Sequence, residues 1–147
     1  MSGATGPATV LAFDFGARRI GVAIGDSALG IAHPLQTIDA AAREVRFRDI
    51  GRLIDEWQPT RLLVGLPLAE DGGEGDFTAR CRRFARQLEG RYKLPVQMLD
   101  ERYTSTAAES LLAAGGLDWR ERRGRTDQHA ACLLLQAYFD ASAKSIV

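Results

Sequence analysis

The stretch VLAFDFGARRIGVAIGD, residues 10–26, decides the fold. Its first half alternates, with Val10, Ala12 and Asp14 on one face and Leu11, Phe13 and Phe15 on the other, the period of a β-strand. GARR, residues 16–19, makes a short turn, and IGVAIGD, 20–26, reads as a second strand paired with the first as a hairpin. Asp14 is the anomaly. It sits on an apolar face with no evident local partner, where a carboxylate is costly to desolvate unless a partner, a proton or a metal compensates it.

Outward from the hairpin, GIAHPLQTI (30–38) reads as a third strand, with Pro34 pushing it towards an edge or a bulge. Asp39 to Trp57 has helical spacing (Val45, Ile50, Leu53, Ile54, Trp57), and Gln58-Pro59 stops it. RLLVGLP (61–67) is a short apolar run of the kind buried on both faces in a parallel sheet, and LAEDGGEGD (68–76) is a loop. Phe77 to Tyr92 is an amphipathic helix with Cys81, Phe84, Ala85 and Leu88 as its apolar stripe, and LPVQMLDE (94–101) is a strand ending in two acids. A helix over Thr104–Ala114, a loop GGLDWRERRGRT (115–126) and a closing helix over Asp127–Ala143 complete the chain. The order β-β-β-α-β-α-β-α-α implies an α/β fold, a mixed sheet with helices on its faces. We expect a disordered lead-in over residues 1–8 and one domain over 9–147.

No segment approaches the roughly 20 apolar residues of a membrane span. Cys81 and Cys132 are isolated, which fits a reduced, cytoplasmic chain better than a disulfide or zinc scaffold. Net charge is zero, yet 17 of the 19 basic residues are arginines, and they cluster in Arg80–Lys93 and in Arg120–Arg125. Arginine's planar fork suits phosphate, although each run taken alone is also what a solvated helix face looks like.

In such sheets, chemistry sits beyond the carboxyl ends of the parallel strands. Asp14 lies near the end of the first strand, Glu101 just past the end of VQML, and Asp127 opens the last helix. Three carboxylates from separate elements can converge there. Their repulsion calls for a divalent cation, and an all-oxygen shell suits Mg²⁺ or Mn²⁺. The corresponding chemistry is two-metal phosphodiester hydrolysis. Each acid also has a plainer reading: Asp127 as a first-turn helix acid, Glu101 as an ion-pair partner of Arg102, Asp14 as a structural group. Asp100 should point to the face opposite Glu101, so Glu101 is the expected site residue, and one residue of register slip would exchange them.

LAFDFGARRIGVAIGD, LLVGLPLAEDGGEG, LDERYTS and TDQHAACLLLQAYFD, in that order, together resemble the YqgF family, described as Holliday junction resolvases or pre-16S rRNA nucleases. The resemblance spans roughly residues 9–141. It implies a ribonuclease H-like fold with a mixed five-stranded sheet, and a metal-dependent nuclease site at the positions of Asp14, Glu101 and Asp127. The first loop reads GARRIG where a Thr-Lys pair is common in the family, but Arg18 and Arg19 keep positive charge beside Asp14 for a phosphate contact. In the last helix, Gln128 and His129 stand where a small residue is common; His129 reads as a helix-surface residue, and His33 as structural.

Around the acids, Gly65 would let a backbone or phosphate approach closely. Arg102, Tyr103 and Thr104 follow Glu101 and could orient substrate, with Tyr103 offering a stacking face. Arg123 and Arg125 belong to the basic loop immediately before Asp127 and are candidates for backbone contacts. The expected partner is nucleic acid, either structured RNA such as pre-rRNA (and with it the ribosome) or branched DNA. A trimming enzyme works as a monomer, whereas a junction resolvase needs a homodimer. DFG at 14–16 also occurs in protein kinases, but their other motifs are missing. A sugar-kinase or actin-like ATPase closes two such domains around ATP, and this length supplies one. A non-catalytic nucleic-acid or ribosome-binding module on the same fold gains nothing from clustered acids near phosphate.

Overall fold

The computed structural model describes residues 8–101 and 126–145. Alternation in the first segment yields β1 (Thr9–Asp14), which pairs antiparallel with β2 (Arg19–Asp26) and places Asp14 opposite Gly21. β3 (Ile31–Asp39) pairs antiparallel with β2, and the register shifts between Val22 and Ala23, the latter opposite Pro34. β4 (Arg61–Leu66) runs parallel to β1, and β5 (Val96–Asp100) parallel to β4. The sheet order is β3-β2-β1-β4-β5, so Pro34 lies on an edge strand beside a bulge, where a missing N–H is tolerated.

Leu11, Phe13 and Phe15 pack under α1 (Arg43–Trp57) and α2 (Asp76–Tyr92), with Phe47, Ile50, Phe84 and Leu88 closing that core. Val10 and Ala12 face the other way, into a second core with Ala131, Cys132, Leu135 and Phe139 of α3 (Thr126–Ser145). Helices therefore cover both faces of a mixed five-stranded sheet, and the face that carries Asp14 is the α3 face.

The start of α1 differs from expectation. α1 begins at Arg43 rather than Asp39, because Asp39 ends β3 and its Oδ1 accepts the Ala41 N–H at 3.0 Å, making a turn instead of a helix start. Phe47 takes the core position at the top of that helix, while Trp57 is 40% exposed. Gln58 stops α1 as expected: it adopts a left-handed conformation (φ 47°) and its N–H returns to the Ile54 carbonyl. The anticipated helix over Thr104–Ala114 and most of the loop after it lie outside the described residues. No helix among the described residues is long and apolar enough to cross a membrane.

Candidate active site

Asp14 closes β1 between two glycines, Gly21 opposite it on β2 and Gly65 on β4, one residue beyond the Phe13–Val64 pair. Each glycine makes room for another acid-bearing element. A Cβ on Gly65 would stand 2.5 Å from Glu101 Oε1 and 3.2 Å from its Cδ, so the Glu101 carboxyl lies directly over β4. A Cβ on Gly21 would overlap the Asp127 carbonyl, so the first turn of α3 rests on the backbone of β2. Gln128 holds that turn in place by donating from Nε2 to Thr37 Oγ1 on β3 at 3.1 Å.

The electrostatics follow from this packing. Burial, then the charge of Glu101 and a hydrogen bond with it, then the charge of Asp127, push the Asp14 carboxyl up to about 7. Burial also raises Glu101, opposed by the hydrogen bond with Asp14 and assisted by the charge of Asp100. One proton shared between the two carboxyls, residing on Asp14, accounts for both directions. Asp127 Oδ2 is 3.1 Å from Arg19 Nε, an ion pair that ties the start of β2 to the first turn of α3 while the Arg19 side chain stays 69% exposed.

Among the described residues no trio of His, Cys, Asp or Glu side chains stands close enough to form a ready metal shell. The donor chemistry nevertheless fits a hard divalent cation. Two carboxyls that must share a proton to lie together are oxygen ligands whose proton a cation can replace, with a third carboxylate acting on Asp14 through its charge.

The sequence-predicted residues divide accordingly. Asp14 and Glu101 are brought into contact, and Asp127 arrives beside them. At Gly65, expected to let a backbone or phosphate approach closely, it is the Glu101 side chain that makes the close approach. Arg18 is exposed in the hairpin turn, and its carbonyl accepts the Ala40 N–H at 2.8 Å. Arg102, Tyr103, Thr104, Arg123 and Arg125 lie outside the described residues. His129 is not a surface residue: its ring is partly buried, which lowers its pKa. Gly21 and Gln128 escaped the sequence reading of the site; a glycine inside a strand was the available signal for the first.

Comparison with known proteins gives a family, two relatives and a solved structure of like fold. The RuvX family, described as Holliday junction resolvase, matches residues 8–141. The chain is 54% identical over 134 residues to a protein of Methylobacillus flagellatus named "Putative pre-16S rRNA nuclease", covering 91% of this chain and 92% of that one. A Chromobacterium violaceum protein of the same name is 51% identical over 137 residues, covering 92% and 100%. Among solved structures, T. thermophilus RuvC in complex with Holliday junction substrate superposes with a TM-score of 0.61 at 16% identity, over 92% of this chain and 96% of that chain. At that identity the likeness is one of fold, and the fold is ribonuclease H-like.

Proposed function

The chain belongs to the RuvX (YqgF) family, and from that premise we propose that it is a metal-dependent nuclease acting in the 5′-end maturation of pre-16S rRNA. The observation that carries the reading is the partly buried Asp14–Glu101 carboxyl pair at the carboxyl end of β1, each partner admitted by a glycine or a strand end. A structural aspartate has no use for a second carboxyl against it, whereas a cation site does. The rRNA assignment follows the relatives of about half-identical sequence, which carry that name.

In this reading Asp14, Glu101 and Asp127 hold the cation. Bound as one ion or as a pair, Mg²⁺ or Mn²⁺ supplies a Lewis acid that lowers the pKa of the attacking water and neutralises charge on the leaving oxygen. Asp14 and Glu101 release their shared proton to become ligands. Arg19 holds Asp127 at the first turn of α3. By analogy with nucleases of this fold, the products would carry 5′-phosphate and 3′-hydroxyl ends. The place of action is the cytoplasm, in keeping with two free, buried cysteines.

The family description favours a second substrate, the four-way DNA junction, cut by a homodimer. End-labelled pre-16S-type RNA and a synthetic junction, each with and without Mn²⁺, separate the two. Metal-dependent cutting of the RNA that Asp14→Asn abolishes supports the rRNA reading. Paired nicks in the junction alone transfer the enzyme to recombination. No cutting of either, with unchanged binding by the variant, leaves a non-catalytic module.

A further inference from the structure

β1, β3 and β4 run in the same direction, and α1 and α2 follow β3 and β4, so both helices begin at the end of the sheet where Asp14 lies. They begin on the opposite face from α3. Between them is a cavity of about 210 Å³, walled by Arg43 and Arg46 of α1 and Arg80 and Arg83 of α2 over a floor of Phe15 and Phe84. Phe15 directly follows Asp14 in the chain, so the cavity begins one residue from the acids.

The four arginines lack the partners that the neighbouring arginines have. Arg48 and Arg52 approach Asp49 at 3.8 and 3.9 Å, and Arg82 is bonded to Glu74 at 2.6 Å. Among the described residues none of the four makes an ion pair. Arg46 is partly buried, donates from Nη2 to the Ala40 carbonyl at 2.9 Å, and keeps a buried Nε without a hydrogen-bond partner. Arg46 and Arg80 lie over the Phe15 ring at 5.5 and 5.9 Å, which holds both guanidinium groups by their faces. Burial and the charges of Arg43 and Arg80 lower the Arg46 pKa, the expected consequence of gathering cations without an anion. Such a group is stable only at a cost in repulsion, which an anion removes.

We propose that this arginine cradle is a second phosphodiester subsite, which grips the strand flanking the scissile bond after it passes over the carboxyl ends of the strands to the α1–α2 face. The inference rests on the nuclease reading above and extends it to residues that reading does not use. A strand fits better than a free phosphate for two reasons. Arg43, Arg80 and Arg83 are exposed and spread over two helices, enough for more than one phosphate. Beside them Phe77 is 41% exposed and stacked on Phe15, with Arg80 over it at 6.0 Å, which leaves an aromatic face for an unpaired base.

The test compares two double variants that each remove two positive charges from α1 or α2. One is Arg43→Ser with Arg83→Ser in the cradle; the other is Arg48→Ser with Arg52→Ser, beside Asp49. Binding of a short fluorescein-labelled single-stranded RNA is followed by anisotropy over a range of KCl concentrations without divalent cation, and Mn²⁺-dependent cleavage is measured in parallel. The cradle variant should bind about tenfold more weakly, with a slope of log K against log salt shallower by about 1.4, two phosphate contacts' worth, while the control keeps the wild-type slope. Should the serine pair fail to fold, the exposed Arg83→Glu single variant carries the same expectation of weakened binding. Equal losses in both double variants overturn the proposal, since any surface charge then suffices. Wild-type affinity in the cradle variant, with Asp14-dependent cleavage intact, leaves the nuclease standing and removes the cradle from the substrate path. Failure of the wild type both to bind and to cut overturns the cradle together with the nuclease. Saturable binding of inorganic phosphate that the cradle variant loses while keeping its RNA affinity makes the cavity a small-anion site instead, and also overturns the proposal.

Discussion

A carboxyl at the end of β1 is tolerable because the sheet offers it two glycines for neighbours, and the two are not equivalent. At Gly21 an added Cβ meets the Asp127 main chain, which can yield only by lifting α3 off the sheet. At Gly65 it meets the tip of the Glu101 side chain, which can rotate away. Gly21→Ala should therefore cost stability, roughly 3 kcal/mol or more in a denaturant titration, beyond the usual overpacking range because backbone is involved. Gly65→Ala should cost less than about 1.5 kcal/mol but evict Glu101, so that cleavage falls and the Mn²⁺ concentration for half-maximal rate rises. Equal stability losses in the two variants would refute this division. Asp14 and Glu101 were legible in the sequence because a carboxylate on an apolar strand face, or at a strand's end, is visible without coordinates. Gly21 was not, because the backbone that presses on it arrives from the far end of the chain.

The same contrast recurs among the elements. α2 matched its expected stripe closely, with Cys81, Phe84, Ala85 and Leu88 all buried, because its polar face is strongly charged and the period is unambiguous. Phe84 is the keystone of that face, 4.7 Å from the Phe15 ring and within about 6 Å of Phe13 and Phe47; Phe84→Ala should lose about 3–5 kcal/mol in the same titration. α3 carries apolar residues around much of its surface, and nothing in its sequence singles out Gln136. In the fold Gln136 is buried. Its Oε1 accepts the Ala32 N–H at 3.0 Å and its Nε2 donates to the Gly30 carbonyl at 2.9 Å, so α3 caps the start of the edge strand β3. Gln136→Leu keeps much of the volume but strands both groups, and should cost about 1–3 kcal/mol with faster amide exchange at Ala32. An unchanged Ala32 exchange rate would mean that water replaces the side chain. No pattern in one strand or one helix reveals such a bond, because its partners are set by how the two pack.

At the scale of the whole molecule, a net charge of zero conceals a division: carboxyls gather on the α3 side of the β1 end, and on the α1–α2 side gather arginines that make no ion pair among the described residues. The Arg80–Lys93 run was half legible as a solvated face, since Arg82 does meet Glu74, but the turn of Arg80 and Arg83 towards α1 depends on which helices become neighbours. The acid side couples the site to global stability. Asp14 is raised from 3.8 to about 7, and Glu101 is raised as well, so between these values the folded protein keeps a proton that the unfolded chain has released. The sign follows directly. Without metal, the stability this pair contributes is fully present below about pH 4, is lost as pH rises through that window, and is gone above about pH 7, a loss of a few kcal/mol. Melting temperatures of chelator-treated protein should therefore fall from about pH 5 to about pH 8, and the Asp14→Asn protein should fall less and outlast the wild type at the upper end. Adding Mn²⁺ at about pH 8 should restore the wild type and do little for the variant, because a cation then takes the place of the missing proton. Parallel pH profiles for the two proteins would show that Asp14 carries no such burden, and the cation site would lose its electrostatic basis.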